Sequence, residues 1–234
     1  MIPWLRTDDP FPPVELALSD PNGLLAAGAD LTPSRLLDAY RRGIFPWFSG
    51  GDPLLWWSPD PRMVMFVDEL RLSRSLRKVI RSGRFSVTFD AAFEAVMHGC
   101  AAPRDGQDGT WITPAMVAAY TELADMGYAH SVEAWHGRVL VGGLYGVVIG
   151  RMFFGESMFA RRTDASKVAL VHLVRQLQRW GFPMIDCQMS TAHLASLGAR
   201  EIPRPEFLKA VEHLTAVLPA GGAWTPDGDL AETP

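Results

Sequence analysis

Apolar positions along the chain recur at two spacings, and the spacing changes repeatedly between residues 32 and 217. Leu36, Leu37 and Tyr40 fall on one side of a helix that Thr32 caps, Pro33 begins and Gly43 closes. Leu72, Leu76, Val79 and Ile80 repeat that spacing and predict a helix over 71–82. Residues 84–89 alternate as a strand. Asp90 is the expected cap of a helix reaching about residue 98, and Thr113-Pro114 begins another that Gly127 ends. Residues 131–135 and 138–148 flank His136-Gly137 as a hairpin, and Gly150 separates them from a strand over 151–154. Asp164 is the expected cap of a long helix with Val168, Leu170, Val171, Val174 and Leu177 inward, stopped by Gly181. A short buried strand over 184–188, a short helix over 192–197 and a helix over 205–217 follow. This order predicts an α+β fold with a mixed sheet flanked by helices. We expect a small N-terminal domain over 1–62, a larger domain over 63–234, and a loosely held Gly/Pro-rich tail after residue 219.

The segment 45–62 fits neither spacing. Trp47, Trp56 and Trp57 stand there among glycines and four prolines. A core strand or helix would not tolerate so many prolines, so a stiff, irregular segment is expected. Rings held this way serve either as a stacking platform for a nucleobase or as hydrophobic plugs at a domain junction. Burial is the commoner use of large aromatics.

With 48% hydrophobic and 21% charged residues, 234 residues can bury a substantial core without staples. The two cysteines, Cys100 and Cys187, make no disulfide framework, and no Cys/His spacing resembles a zinc site. The N-terminus lacks the basic-then-apolar run of a signal peptide, and no apolar run reaches the ~18 residues needed to span a bilayer. The cytosol is therefore the expected compartment, and without a coiled coil or sticky strand a monomer is the default. A net charge of −4 does not advertise nucleic-acid binding. Yet Arg71, Arg74, Arg77, Lys78, Arg81 and Arg84 follow one another with no acid among them. That gives the helix over 71–82 one cationic face, which either meets phosphates or is simply solvated.

Ile185-Asp186-Cys187-Gln188 places Asp186 and Gln188 on one face of a strand and Cys187 on the other. A carboxylate and an amide directed into an apolar site are costly unless hydrogen-bonded. They either tie down a loop or receive an amine, Gln188 through its carbonyl oxygen and Asp186 as a fixed negative charge. Gly155-Glu156-Ser157-Met158-Phe159 has the first half of a nucleophile elbow but lacks the closing glycine and the following helix. Cys187 has no basic partner beside it and reads as a small hydrophobe. His193 could be a base, although a lone His near a helix start is more often structural. No glycine-rich loop precedes the helix at 165, which argues against a coenzyme A cofactor.

Several motifs occur in a fixed order from about residue 3 to about 218: Pro21-Asn22-Gly23-Leu24-Leu25, Arg42-Gly43-Ile44-Phe45-Pro46-Trp47-Phe48, Leu55-Trp56-Trp57-Ser58-Pro59-Asp60-Pro61-Arg62, Gly109-Thr110-Trp111-Ile112-Thr113, Gly155-Glu156-Ser157-Met158-Phe159, Ala165-Ser166-Lys167, Asp186-Cys187-Gln188 and Ser196-Leu197-Gly198-Ala199. Each alone is modest, but together they resemble the bacterial leucyl/phenylalanyl-tRNA–protein transferases. The resemblance implies transfer of leucine or phenylalanine from its tRNA to the α-amino group of a protein beginning with Arg or Lys, a mark for N-end rule degradation. It implies an acetyltransferase-like catalytic domain, no metal and no cofactor. Residue by residue, it implies that Trp47 and Trp111 flank the terminal adenosine and that Glu156 helps hold the aminoacyl-adenosine end. Leu144, Phe153, Met158, Leu170, Leu173, Leu177 and Ile185 would form the aminoacyl side-chain pocket. Asp186 and Gln188 would sit where the amine attacks, with Asp186 either orienting Gln188 or receiving the acceptor's cationic side chain. The basic stretch 71–84 would contact tRNA phosphates. Leu144 and Leu173 depart from the bulkier Met and Phe of better-known members, and Thr191 stands where an Asn is often found. The rival readings are a coenzyme A-dependent N-acyltransferase and a non-catalytic RNA-binding module.

Overall fold

The computed structural model describes residues 2–103, 111–217 and 224–228. Gly109 and Thr110 of the fourth motif, and most of the tail, lie outside the described residues. In chain order the elements are β1 (Trp4–Leu5), β2 (Leu24–Gly28), α1 (Pro33–Arg41), β3 (Phe45–Pro46), β4 (Leu55–Trp57), β5 (Arg62–Phe66), α2 (Arg74–Arg81), β6 (Ser86–Phe89), α3 (Phe93–Ala101) and α4 (Pro114–Asp125). They continue with β7 (Ala129–His136), β8 (Val139–Ile149), β9 (Met152–Ala160), α5 (Ala165–Arg179), β10 (Met184–Gln188), α6 (Ala192–Ser196), β11 (Arg200–Ile202) and α7 (Arg204–Ala216). The strands form two sheets, ordered β1-β2-β4-β3 and β11-β5-β10-β9-β8-β7-β6. In the second, β9 and β10 run parallel and the other neighbours antiparallel, so the expected α+β chain with a mixed sheet is what forms.

The first sheet corrects the reading of 45–62 as irregular. Phe45–Pro46 and Leu55–Trp57 pair antiparallel, with Phe45 opposite Trp57 and Pro46 opposite Trp56. β3 is an edge strand, where a proline's missing N–H costs no ladder bond. Other corrections concern caps. Thr32 holds the cap position of α1, but its hydroxyl turns back to Asp30 at 2.5 Å and makes no cap bond. Asp90 caps nothing: its carboxylate accepts the Ser131 N–H at 2.7 Å and pairs with His130, and α3 starts later, at Phe93. Asp164 does hold the cap position of α5, but in the left-handed region with φ 69°, and its carboxylate pairs with Lys167 at 3.0 Å rather than capping a backbone N–H. The expected cap that does form is Thr113 on the Met116 N–H, and on α2 the structure adds one not foreseen, Ser73 on the Leu76 N–H. The latter shortens the basic helix to 74–81, so Arg71 and Arg84 flank it. β9 runs on to Ala160 and absorbs 155–159, placing Ser157 in mid-strand rather than at an elbow.

The larger sheet separates two cores. One face carries Tyr120, Tyr145, Phe154, Met184 and Phe207, joined to Tyr40, Phe45 and Trp56 of the N-terminal region. The other carries Leu144, Phe153, Leu170, Leu173, Leu177 and Ile185 under α5, with Leu76 and Ile80 of α2. Strand alternation does this sorting: Tyr145 and Leu144, or Phe154 and Phe153, face opposite ways. Two features shape the middle of the sheet. β8 and β9 shift register between Tyr145 and Gly146. β9 and β10 stop pairing at Phe154 and Asp186 although both strands continue, so they part.

Candidate active site

Asp186 stands where β9 and β10 part, and its carboxylate is fully buried. A bare charge there would cost several kcal/mol. The chain meets that cost with Arg62, equally buried, at the head of β5. The guanidinium holds both carboxylate oxygens, Nε to Oδ1 at 2.8 Å and Nη2 to Oδ2 at 2.7 Å. It is sandwiched between the rings of Phe45 and Phe207, at 4.7 and 4.6 Å, and donates a further bond to the Gly43 carbonyl at 3.2 Å. Asp186 Oδ1 also accepts the backbone N–H of Gln188 at 2.8 Å. The strand bulges there, and Gln188 takes a φ of 60°. The bulge breaks the expected alternation: Cys187 lines the same cavity as Asp186, not the opposite face.

Gln188 is fixed from its other end. Its Nε2 donates to Glu156 Oε1 at 2.8 Å, while its carbonyl oxygen has no partner among the described residues. Glu156 in turn accepts from the hydroxyls of Tyr40 at 2.7 Å and Tyr120 at 3.1 Å, and these two hydroxyls contact each other. Burial pushes the Glu156 carboxyl up to about 7, against the hydrogen bonds from Tyr40, Tyr120 and Gln188, which favour the ionised form. Burial also holds both tyrosines well above their ordinary values, so they are neutral donors. The sign follows for stability. The folded chain binds the Glu156 proton more tightly than the unfolded one, whose value is near 4.5. The stability this group contributes is thus fully present below pH 4.5 and lost as pH rises through about 7. Glu156→Gln should remove that loss: its stability relative to the parent should rise between those limits, measured by urea unfolding across pH.

An apolar cavity of about 100 Å³ lies beside this network. Leu144, Phe153, Met158, Leu170, Leu173 and Ile185 line it, with Glu156, Asp186 and Tyr145 among its other lining residues. Leu177, grouped with them on sequence, is fully buried in the same core and does not line it, whereas Leu194 and Cys187 do. Burial drives the Cys187 thiol far above its usual range, so no thiolate forms there.

Trp47 is 36% exposed, its ring edge-on to Trp57 at 5.4 Å. Trp57 is 9% exposed and donates its indole N–H to the Trp47 carbonyl at 2.6 Å. Trp56 is wholly buried, bonded to the Gly28 carbonyl at 3.0 Å. Trp111 is half-buried against the same core. Arg71, Arg74, Arg77, Lys78, Arg81 and Arg84 are all exposed, and none pairs with an acid among the described residues. Thr191 caps α6 through the Leu194 N–H, and His193 is exposed with its imidazole lowered by partial burial and by Lys167.

Three residues of the network escaped sequence reasoning. Arg62 is a lone cation at the head of an otherwise apolar strand, which is a signal that a buried partner exists. Tyr40 and Tyr120 sit on inward helix faces, where a hydroxyl needs a partner that spacing alone does not name.

The chain matches two family models: the N-terminal domain of leucyl/phenylalanyl-tRNA protein transferase over residues 29–60, and leucyl/phenylalanyl-tRNA protein transferase over 64–212. It is 60% identical to the leucyl/phenylalanyl-tRNA–protein transferase of Nitrosospira multiformis, covering 99% of this chain and 100% of that one. It is 64% identical to that of Chromobacterium violaceum over 91% of each. Among solved structures it resembles the C-terminal domain of a putative lysylphosphatidylglycerol synthetase from Agrobacterium fabrum, at a TM-score of 0.45 and 13% identity over 86% of this chain and 75% of that one. A GCN5-related N-acetyltransferase from Kribbella flavida gives 0.37 and 10%, over 72% and 60%. These structural likenesses are too slight to argue from. The family rests instead on the sequence models and on identity over essentially the whole length of a relative: the chain belongs to the leucyl/phenylalanyl-tRNA–protein transferases.

Proposed function

We propose that this aminoacyltransferase moves leucine, and also phenylalanine and methionine, from aminoacyl-tRNA to the α-amino group of proteins beginning with Arg or Lys, in the cytoplasm, as an N-end rule mark. The observation that carries this reading is the carbonyl oxygen of Gln188, unpartnered among the described residues, on a side chain fixed by Asp186 and Glu156, both of which line an apolar cavity. In this reading the donor ester is already activated. The cavity takes the aminoacyl side chain and Gln188 accepts one N–H of the incoming amine, aiming its lone pair at the ester carbonyl. The C–N bond forms, the C–O bond to the ribose breaks, and the leaving ribose oxygen ends with the proton. Orientation of this kind can supply ~7–11 kcal/mol, so no strong base is required. Asp186, saturated by Arg62, acts by orienting Gln188 rather than by receiving the acceptor's cation. Glu156 holds the amide nitrogen of Gln188 so that its carbonyl faces outward.

Trp47 and Trp111 flank the terminal adenosine, and the exposed cations of 71–84 meet tRNA phosphates. The small domain ends near Pro61, and the chain works as a monomer. Trp47→Ala should raise the KM for donor tRNA about tenfold, since a base–aromatic stack is worth ~1–3 kcal/mol, without lowering the melting temperature. Trp57→Ala should instead cost ~3–5 kcal/mol of stability, read by denaturant unfolding. Equal effects on both measurements would argue against dividing the two rings in this way. The reading itself is tested with labelled Leu-tRNA and a peptide beginning with Arg. Transfer abolished by ribonuclease supports it; incorporation from acetyl-coenzyme A without tRNA overturns it.

A further inference from the structure

Trp224 and Asp227 pack against elements that also wall the cavity, Trp224 on Phe153 and Asp227 on α5. The Trp224 indole is half-buried and stacks on His130 at 4.1 Å and 17°. Trp180 meets it at 4.7 Å, and Phe182 stands edge-on at 6.4 Å. The remaining ring is Phe153, nearly parallel at 17° and 6.2 Å. Phe153 also lines the cavity, so this one residue is shared between Trp224 and the cavity wall. The rest of its surroundings are tight: a Cβ on Gly146 would come within 2.5 Å of the ring.

Trp224 is itself held in place. Its stacking partner His130 is fixed by Asp90 at 2.7 Å. Asp227 pairs with Arg179 at 2.9 Å, and its backbone N–H donates to Gln176 Oε1 at 2.8 Å. Both anchors belong to α5, which supplies Leu170 and Leu173 to the cavity. The indole N–H has no hydrogen-bond partner among the described residues, so ring contact holds the side chain.

We propose that Trp224 is the backstop of the aminoacyl pocket, a specificity-determining residue that limits how far Phe153 can recede and so sets the ratio of leucyl to phenylalanyl transfer. The proposal rests on the cavity being the side-chain pocket. Protein interiors are close-packed, so removing a bulky ring leaves space into which its neighbour tilts. A cavity of about 100 Å³ enlarged in this way favours the larger side chain. Trp224 touches no reacting atom and acts through Phe153, as a positioning residue.

The test measures kcat/KM for Leu-tRNA and Phe-tRNA against one Arg-starting peptide, using the full chain. Trp224→Ala should raise the Phe-to-Leu ratio about tenfold, the scale on which apolar pockets discriminate. Trp224→Phe, which keeps a flat ring against Phe153, should stay close to the parent ratio. A merely structural role would lower both donors alike. Leu173→Ala, which alters the cavity lining directly, runs in parallel and should also shift the ratio. If Leu173→Ala shifts it and Trp224→Ala does not, the backstop is overturned and the pocket stands. If Leu173→Ala leaves the ratio unchanged, the pocket reading falls and the backstop with it, whatever Trp224→Ala does. Should Trp224→Ala fail to fold, Trp224→Leu, apolar but without the flat face, carries the same comparison.

Discussion

Gln188→Ala should slow transfer at saturating donor and acceptor by about 10²-fold, while the melting temperature and the KM for donor tRNA stay close to the parent values. The expectation rests on how firmly this side chain is held. Its backbone is fixed in the left-handed region by the Asp186 carboxylate, its amide nitrogen is tied to Glu156, and its carbonyl oxygen is left open. Such fixing serves orientation, and misplacing a reacting group by about 1 Å can cost about 10²-fold. Truncation removes the aim and leaves the surrounding hydrogen-bonded groups in place. Gln188→Glu should fare no better, since it would set a second carboxylate against Glu156 where an N–H now donates. A kcat within twofold of the parent in Gln188→Ala would remove Gln188 from the mechanism.

Arg62→Met should be the most destabilising single change at the site, costing ~3–5 kcal/mol in urea unfolding near neutral pH. Methionine can occupy part of the slot between Phe45 and Phe207, but it leaves Asp186 buried with an uncompensated charge. Adding Asp186→Asn should recover ~1 kcal/mol or more by removing that charge, a coupling of the size seen between contacting residues. The double variant should nevertheless remain slow in transfer, because the clamp that places Gln188 is gone. Loss of less than about 1 kcal/mol in Arg62→Met would mean that the pair does not hold the site together.

Much of this was legible in the chain. Long helices and the hairpin follow directly from apolar spacing: α5 buries the expected Val168, Leu170, Val171, Val174 and Leu177, together with smaller and polar residues such as Ala169, His172 and Gln176 that the apolar spacing did not mark. Caps were less legible, since a short polar side chain has several backbone groups in reach. Asp90 chose the Ser131 N–H and His130 across the sheet over the helix that follows it. The short strands of 45–57 were hidden by their prolines, which an edge strand accommodates. The cavity residues could be named because the resemblance supplied them, and Leu177 shows the limit, since it packs in the same core without reaching the cavity. What the sequence could not show is partnership. Asp186 is adjacent in space to Arg62, and Glu156 to Tyr40 and Tyr120, through separations of 124, 116 and 36 residues that no local pattern encodes.

The Arg62 guanidinium has a consequence for timing. Its two aromatic walls come from opposite parts of the chain, Phe45 from the small sheet and Phe207 from the last helix. During synthesis Asp186 and Gln188 emerge before that second wall exists. A nascent chain halted short of residue 207 would already contain every group placed here in the transfer step, yet would lack the slot that holds the arginine beneath them. Transfer would then arise late, when α7 closes over Arg62.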